Sequence, residues 1–131
     1  MYTFSYSSCQ HIICEAGAAA QLGETCKRQG FSSVLIVTDP SIKQLGLHKP
    51  VLDSLAKANV KGFLFSEVQA DPPESVVMDA VNAAKNAQVG AIIGFGGGSS
   101  MDVAKIVALL AHSECNQSLV EIYGVDNAVG K

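Results

Sequence analysis

A glycine-rich stretch carries the chemistry that is easiest to name in this sequence. Gly94-Phe95-Gly96-Gly97-Gly98-Ser99-Ser100-Met101-Asp102-Val103-Ala104-Lys105 leaves one apolar run, enters the apolar pattern of a helix, and holds four of the chain's 12 glycines. Glycines permit positive φ and carry no Cβ. Backbone N–H groups can therefore approach a bulky anion at the start of the following helix, where the dipole favours negative charge. That is the chemistry of a phosphate cradle. The stretch is not a P-loop, because no Gly-Lys-Ser/Thr follows, and Ser99 stands where G-x-G-x-x-G would place its third glycine. A purely structural role is the alternative, with glycines turning the chain, Ser99 as N-cap and Asp102 as the acid of a capping box. Four glycines exceed what capping needs, which favours phosphate or nucleotide binding.

Asp39 is the second candidate. In a parallel sheet all carboxyl ends share one rim, so Asp39 and Gly96 to Ser99 can face one crevice, with Asp39 on ribose hydroxyls. Its place before the glycine loop, instead of about twenty residues after it, departs from the dinucleotide fingerprint. Taken alone, Thr38-Asp39-Pro40 reads as an ordinary turn. Asp102 and Lys105, three apart on a helix, can make a surface pair worth about 0.2–0.5 kcal/mol. A nucleophilic Ser99 or Ser100 lacks both a nucleophile elbow and a nearby base, since His11, His48 and His112 are scattered. These histidines read as surface or core structure. Cys9, Cys14, Cys26 and Cys115 contain no C-x-x-C and read as reduced thiols, in preference to two disulfides or a metal site with His11. No residue is assigned a catalytic or metal-binding role.

The elements that would position these residues alternate. Cys9 to Ala16 reads as a short strand centred on Ile12 and Ile13, ending at Gly17, followed by a helix with Ala18, Ala19, Leu22 and Cys26 on one buried face and Gly30 as its terminator. Val34-Leu35-Ile36-Val37 is continuously apolar and β-branched, as expected of a strand covered on both faces. Ser41 to Leu45 allows a helical turn, and a firmer helix begins near Pro50 with Val51, Leu52 and Leu55 as its apolar face. Phe63-Leu64-Phe65 is a third strand and Asp71-Pro72-Pro73 a rigid connection. Val77, Ala80, Val81 and Ala84 predict a helix from Pro73 to about Gln88. Ala91-Ile92-Ile93 is the fourth strand, and Val103, Ile106, Val107 and Leu110 mark a helix ending near His112. Beyond it, Leu119 to Tyr123 suggests a short helix or strand. This order predicts an open α/β fold with right-handed crossovers, a mainly parallel sheet and helices on both faces.

Composition narrows the classes further. The 131 residues fit one domain, and 48% hydrophobic with 16% charged residues is the make-up of a well-packed globular protein. A net charge of −3 with nine scattered Lys and Arg supplies no nucleic-acid footprint. No apolar run approaches a membrane span, and the polar start, Met1 to Gln10, lacks the regions of a signal peptide, so a cytoplasmic location is expected.

Gly96-Gly97-Gly98-Ser99-x-x-Asp102-x-x-Lys105 resembles the signature G-G-G-S-x-x-D-x-x-K of the iron-containing alcohol dehydrogenase family, which includes lactaldehyde reductases, glycerol dehydrogenases and maleylacetate reductases. The Gly17 helix start, Val37-Thr38-Asp39 and Tyr123-Gly124 resemble that family's N-terminal half in order and spacing. The resemblance implies a Rossmann-like dinucleotide-binding domain over residues 1–131. In it Gly96, Gly97, Gly98 and Ser99 would hold the pyrophosphate, Asp102 would lie near the nicotinamide side, and Asp39 would favour NAD over NADP by repelling a 2′-phosphate. Asp71-Pro72 departs from the Asn-Pro of many members. The family continues into a Thr-Gly-Ser-Glu-type loop and an all-helical domain whose Asp and His residues hold Fe2+ or Zn2+, and neither lies within this sequence. The expected partners are nicotinamide dinucleotide and, in the parent enzyme, a small alcohol or aldehyde. A homodimer is a candidate assembly, and the chain alone is expected to be inactive. The alternative is a non-catalytic nucleotide-binding or self-associating module. A glycerol dehydrogenase-like or dehydroquinate synthase-like relative fits less well, because the Gly98-Ser99-x-x-Asp102 form is dehydrogenase-like.

Overall fold

The computed structural model describes residue 9 and residues 11–130. The elements run in the order α1 (Leu22–Arg28), β1 (Ser33–Val37), α2 (Pro40–Gln44), α3 (Lys49–Lys57), β2 (Lys61–Phe65), α4 (Glu74–Ala87), β3 (Ala91–Gly94) and α5 (Gly98–Ala111). A 3-10 turn precedes α1 at Ala18–Gln21, and another follows α5 at Val120–Ile122. The three strands form a parallel sheet in the order β2-β1-β3, with Val34 beside Gly62 and Ala91, and Val37 beside Phe65 and Gly94.

The centre of the sheet is β1, whose Val34 to Val37 are at most 1% exposed. Successive side chains of a strand point to opposite faces, so this apolar run needs cover on both. Leu35 and Val37 pack with Val77, Val81, Val103 and Val107 of α4 and α5. Val34 and Ile36 pack with Cys26, Val51 and Leu55 of α1 and α3. Each fully buried Val, Leu or Ile contributes about 1.5–3 kcal/mol, and because all three strands run parallel the sheet these two layers cover presents its carboxyl ends along one rim.

Helix ends follow local chemistry. The Phe31 N–H donates to the Cys26 carbonyl and the Gly30 N–H to that of Lys27, both at 3.0 Å, while Gly30 takes φ +83°, which closes α1 where its glycine predicted. Asp39 caps α2, accepting the Ile42 N–H at 3.0 Å, with Pro40 in the first turn.

The N-terminal region departs from expectation. Residues 11–15 and Cys9 form no strand, residue 10 lies outside the described residues, and Ile12 and Ile13 are 78% and 64% exposed. A strand persists only where another edge satisfies its backbone, and this segment joins neither edge of the sheet. The helix predicted from Ala18 divides into a 3-10 turn and α1, and its buried positions are Gly23 and Cys26, with Ala19 exposed. Gly23 is the cause. A Cβ there would stand 2.0 Å from the Ser54 carbonyl oxygen; without one, the Gly23 N–H donates to Ser54 Oγ at 2.9 Å and α1 lies directly on α3.

Candidate functional site: the rim around the glycine loop

Thr38 knots the carboxyl ends of the strands together. It is fully buried; its N–H donates to the Phe65 carbonyl at 2.8 Å and its own carbonyl accepts from Val68 at 3.3 Å. Its hydroxyl donates to the Phe95 carbonyl at 2.5 Å, and the Phe95 N–H donates to Val37 at 2.9 Å. The glycine loop thus leaves β3 from a fixed point beside Thr38-Asp39.

Each glycine of the stretch serves a different end. Gly94 ends β3 under α5: a Cβ there would lie 2.9 Å from Met101 Cα and 3.0 Å from Ala104 Cβ, so the helix could not sit so close. Gly96 has φ +145°, open to glycine, and its missing Cβ would meet Ser100 Oγ at 3.0 Å and Asp39 Oδ2 at 3.1 Å. At Gly97 and Gly98 a Cβ would meet nothing within 4 Å. The fold therefore requires glycine at 94 and 96 and leaves open space at 97 and 98.

Gly97 is the N-cap of α5 and supplies no side-chain cap, so the amides of the first helical turn lack an intrahelical acceptor. They border a cleft of about 650 Å³ lined by Asp39, Ile42, Gln69, Gly97, Gly98 and Ser99. A second cleft of about 390 Å³ lies on the other side of Ser99, between Asp71, Glu74, Asp102, Leu119 and Tyr123. Across it the Tyr123 hydroxyl donates to Glu74 Oε1 at 3.1 Å, and that bond raises the Tyr123 pKa above the usual phenol value.

A sequence profile of iron-containing alcohol dehydrogenases matches residues 9–130. The chain belongs to the iron-containing alcohol dehydrogenase family. It is 37% identical over 98 residues to choline dehydrogenase of Bacillus subtilis, covering 75% of this chain and 24% of that protein. It is 32% identical over 115 residues to the NAD-dependent methanol dehydrogenase of Bacillus methanolicus, covering 88% of this chain and 29% of that protein. Among solved structures, NADH-dependent butanol dehydrogenase A of Thermotoga maritima superposes with a TM-score of 0.79 at 36% identity, over 87% of this chain and 29% of that one. The chain thus spans between a fifth and a third of the length of these relatives.

In this alcohol dehydrogenase relative, Asp39, Gly97, Gly98 and Ser99 gather on the first cleft, with Gly96 held against Asp39 and Ser100. Asp102 lies one turn further along α5, in the second cleft, where it accepts from Lys105 Nζ at 3.0 Å with both side chains more than 70% exposed. The capping alternative is not what forms: Gly97 is the N-cap, Ser99 lies inside the first turn, and Asp102 makes the surface pair. Sequence reasoning missed Gln69, the structural roles of Thr38 and Ser100, and the packing role of Gly94. Only Gly94 left a local signal, a glycine at the end of an apolar strand.

Among the described residues no group of three or more His, Cys, Asp or Glu side chains could hold a metal ion, and none of the four cysteines forms a disulfide. His11 lies ahead of the first turn, His48 at the start of α3 and His112 at the end of α5. No described helix is long and apolar enough to cross a membrane.

Proposed function

We propose that residues 1–131 are the dinucleotide-binding domain of an NAD-dependent alcohol dehydrogenase of the iron-containing type. The observation that carries this reading is the contrast within one loop: Gly94 and Gly96 are required by packing and backbone, whereas Gly97 and Gly98 leave room that the protein itself does not fill. A pyrophosphate fits that room, beside free helix amides and the positive end of a 14-residue helix.

In this reading Gly96, Gly97, Gly98 and Ser99 hold the pyrophosphate, and Asp39 receives the ribose hydroxyls. Asp39 Oδ1 already accepts from Ile42, which fixes the carboxylate's orientation while leaving it further acceptor capacity toward the ribose. A 2′-phosphate would meet the same carboxylate and be repelled, so NAD is favoured over NADP. Ser99 borders both clefts, so a ligand crossing the start of α5 passes from Asp39 toward Asp102 on the nicotinamide side. Bound nicotinamide would supply the hydride chemistry for interconverting a small alcohol and its aldehyde. The described residues offer no ligand set for Fe2+ or Zn2+, so no step through a metal is assigned to them.

Calorimetric titration of the purified chain tests this directly. Weak binding of NAD, tighter than that of NADP, and no alcohol oxidation are expected. Absence of both heat and a melting shift at roughly millimolar NAD, about the scale of a −4 kcal/mol interaction, would sink the proposal. A second reading, a self-associating module, rests on the exposure of Ile12, Ile13, Val125 and Val129, and sizing chromatography that returns only monomer would remove it.

A further inference from the structure

The geometry points to Thr38 as the positioning residue of the pyrophosphate loop, an assignment that rests on the nucleotide reading above. Asp39 is the neighbour that carries the recognised charge. Thr38 carries none and lines neither of these two clefts, yet its hydroxyl holds the Phe95 carbonyl at 2.5 Å, immediately before Gly96. The peptide joining Phe95 and Gly96 is planar and trans, so fixing its oxygen also fixes the direction of the Gly96 N–H, which points away from Thr38. Gly96 then takes φ +145°, a conformation that starts the turn into Gly97 and Gly98.

Three further contacts, two of Thr38 and one of Phe95, make this pair a rigid reference. The Thr38 N–H is bonded to Phe65 of β2, its carbonyl accepts from Val68, and Phe95 is bonded to Val37 of β1. The hydroxyl therefore registers the loop against all three strand ends at once. Asp39, one residue on, places Oδ2 over the Gly96 α-carbon, 3.1 Å from where a Cβ would stand. The dipeptide Thr38-Asp39 thus controls both halves of the site, one residue through the loop's backbone and the other through ribose. Without the hydroxyl, the Phe95–Gly96 peptide loses its fixed orientation, and the fraction of loops ready for a pyrophosphate falls. Affinity falls in the same proportion.

The test compares Thr38→Ser, Thr38→Val and Thr38→Ala with the unmodified chain, titrating NAD and ADP well below each variant's melting temperature. Val81→Ala, a cavity in the α4 core away from both clefts, serves as a destabilised control. Binding by T38V and T38A is expected to weaken about tenfold for both ligands, with T38S within about twofold of the unmodified chain. V81A should melt earlier and bind normally. Should T38V fail to fold, T38A against T38S reads the same contrast. Unchanged binding by T38V or T38A overturns the assignment while leaving the nucleotide reading intact. Equal weakening in V81A overturns it too, since the effect would then be general softening. If the unmodified chain binds neither ligand, the nucleotide reading fails and the assignment falls with it.

Discussion

Two alanine substitutions four residues apart should have opposite consequences, and the contrast separates folding from binding. Gly94→Ala places a Cβ 2.9 Å from Met101 Cα, 3.0 Å from Ala104 Cβ and 3.2 Å from the Ser100 carbonyl. Two of those neighbours are backbone atoms of α5, which cannot rotate aside. The helix must retreat by about half an ångström to reach ordinary contact, loosening its packing on the sheet along its length. Overpacking of this kind costs about 1–3 kcal/mol. At roughly 4 °C per kcal/mol for a domain this size, melting should fall by about 4–12 °C. Gly98→Ala adds a Cβ with nothing within 4 Å, at the first position of α5, where alanine's helix propensity gains up to about 1 kcal/mol. Its melting temperature should hold or rise slightly, while NAD affinity drops about tenfold or more because the methyl occupies the ligand's space, a loss of about 1.4 kcal/mol. Thermal unfolding by circular dichroism and calorimetric titration read the two quantities separately. A G98A variant that binds NAD normally would refute the cradle, and a G94A variant that melts normally would refute the packing argument.

Gly23→Ala should be harsher than Gly94→Ala, about 3 kcal/mol or more by thermal or urea unfolding, because its Cβ would stand 2.0 Å from a backbone oxygen of α3. Asp39→Asn should leave melting nearly unchanged, since asparagine caps a helix as well as aspartate, and should narrow the preference for NAD over NADP; Asp39→Ala should also lose about 1 kcal/mol of stability. The Tyr123–Glu74 bond favours protonated Tyr123 in the folded state, so its contribution is present below the phenol's unfolded pKa and lost as pH rises through the higher folded value; the difference in ultraviolet titration between the unmodified chain and Tyr123→Phe should show this phenol ionising above the usual phenol range. Glu121 behaves oppositely: the Ser118 N–H and hydroxyl lower its pKa, so the Ser118–Glu121 contact should hold above the ordinary carboxylate range and open as pH falls through the depressed folded value, visible in the Glu121 side-chain resonances.

Sequence by itself determined the elements whose signals are local. The apolar run Val34 to Val37, the 3.6-residue spacing of Val77 to Ala84, Gly30 after α1 and Pro40 after Asp39 all appear where their backbone preferences put them. It also determined which residues gather at the site, because parallel strands bring Asp39 and the glycine loop to one rim whatever the loop's details. Tertiary structure decided what depends on partners distant in the chain. Ile12 and Ile13 have strand chemistry, but their segment joins neither edge of the sheet, so they stay exposed. Gly23 is an unremarkable helical glycine until Ser54, 31 residues later, arrives against it. The four glycines of the loop look alike in the sequence, yet the packing of α5 and the position of Asp39 divide them into two that the fold requires and two that it leaves open. Thr38, silent as a side chain among ordinary turn residues, gains its role only because Phe95, 57 residues away, presents its carbonyl to it. A hydrogen bond or a steric limit between remote segments leaves no periodicity behind, which is why the fold class was legible and the assignment of labour within the loop was not.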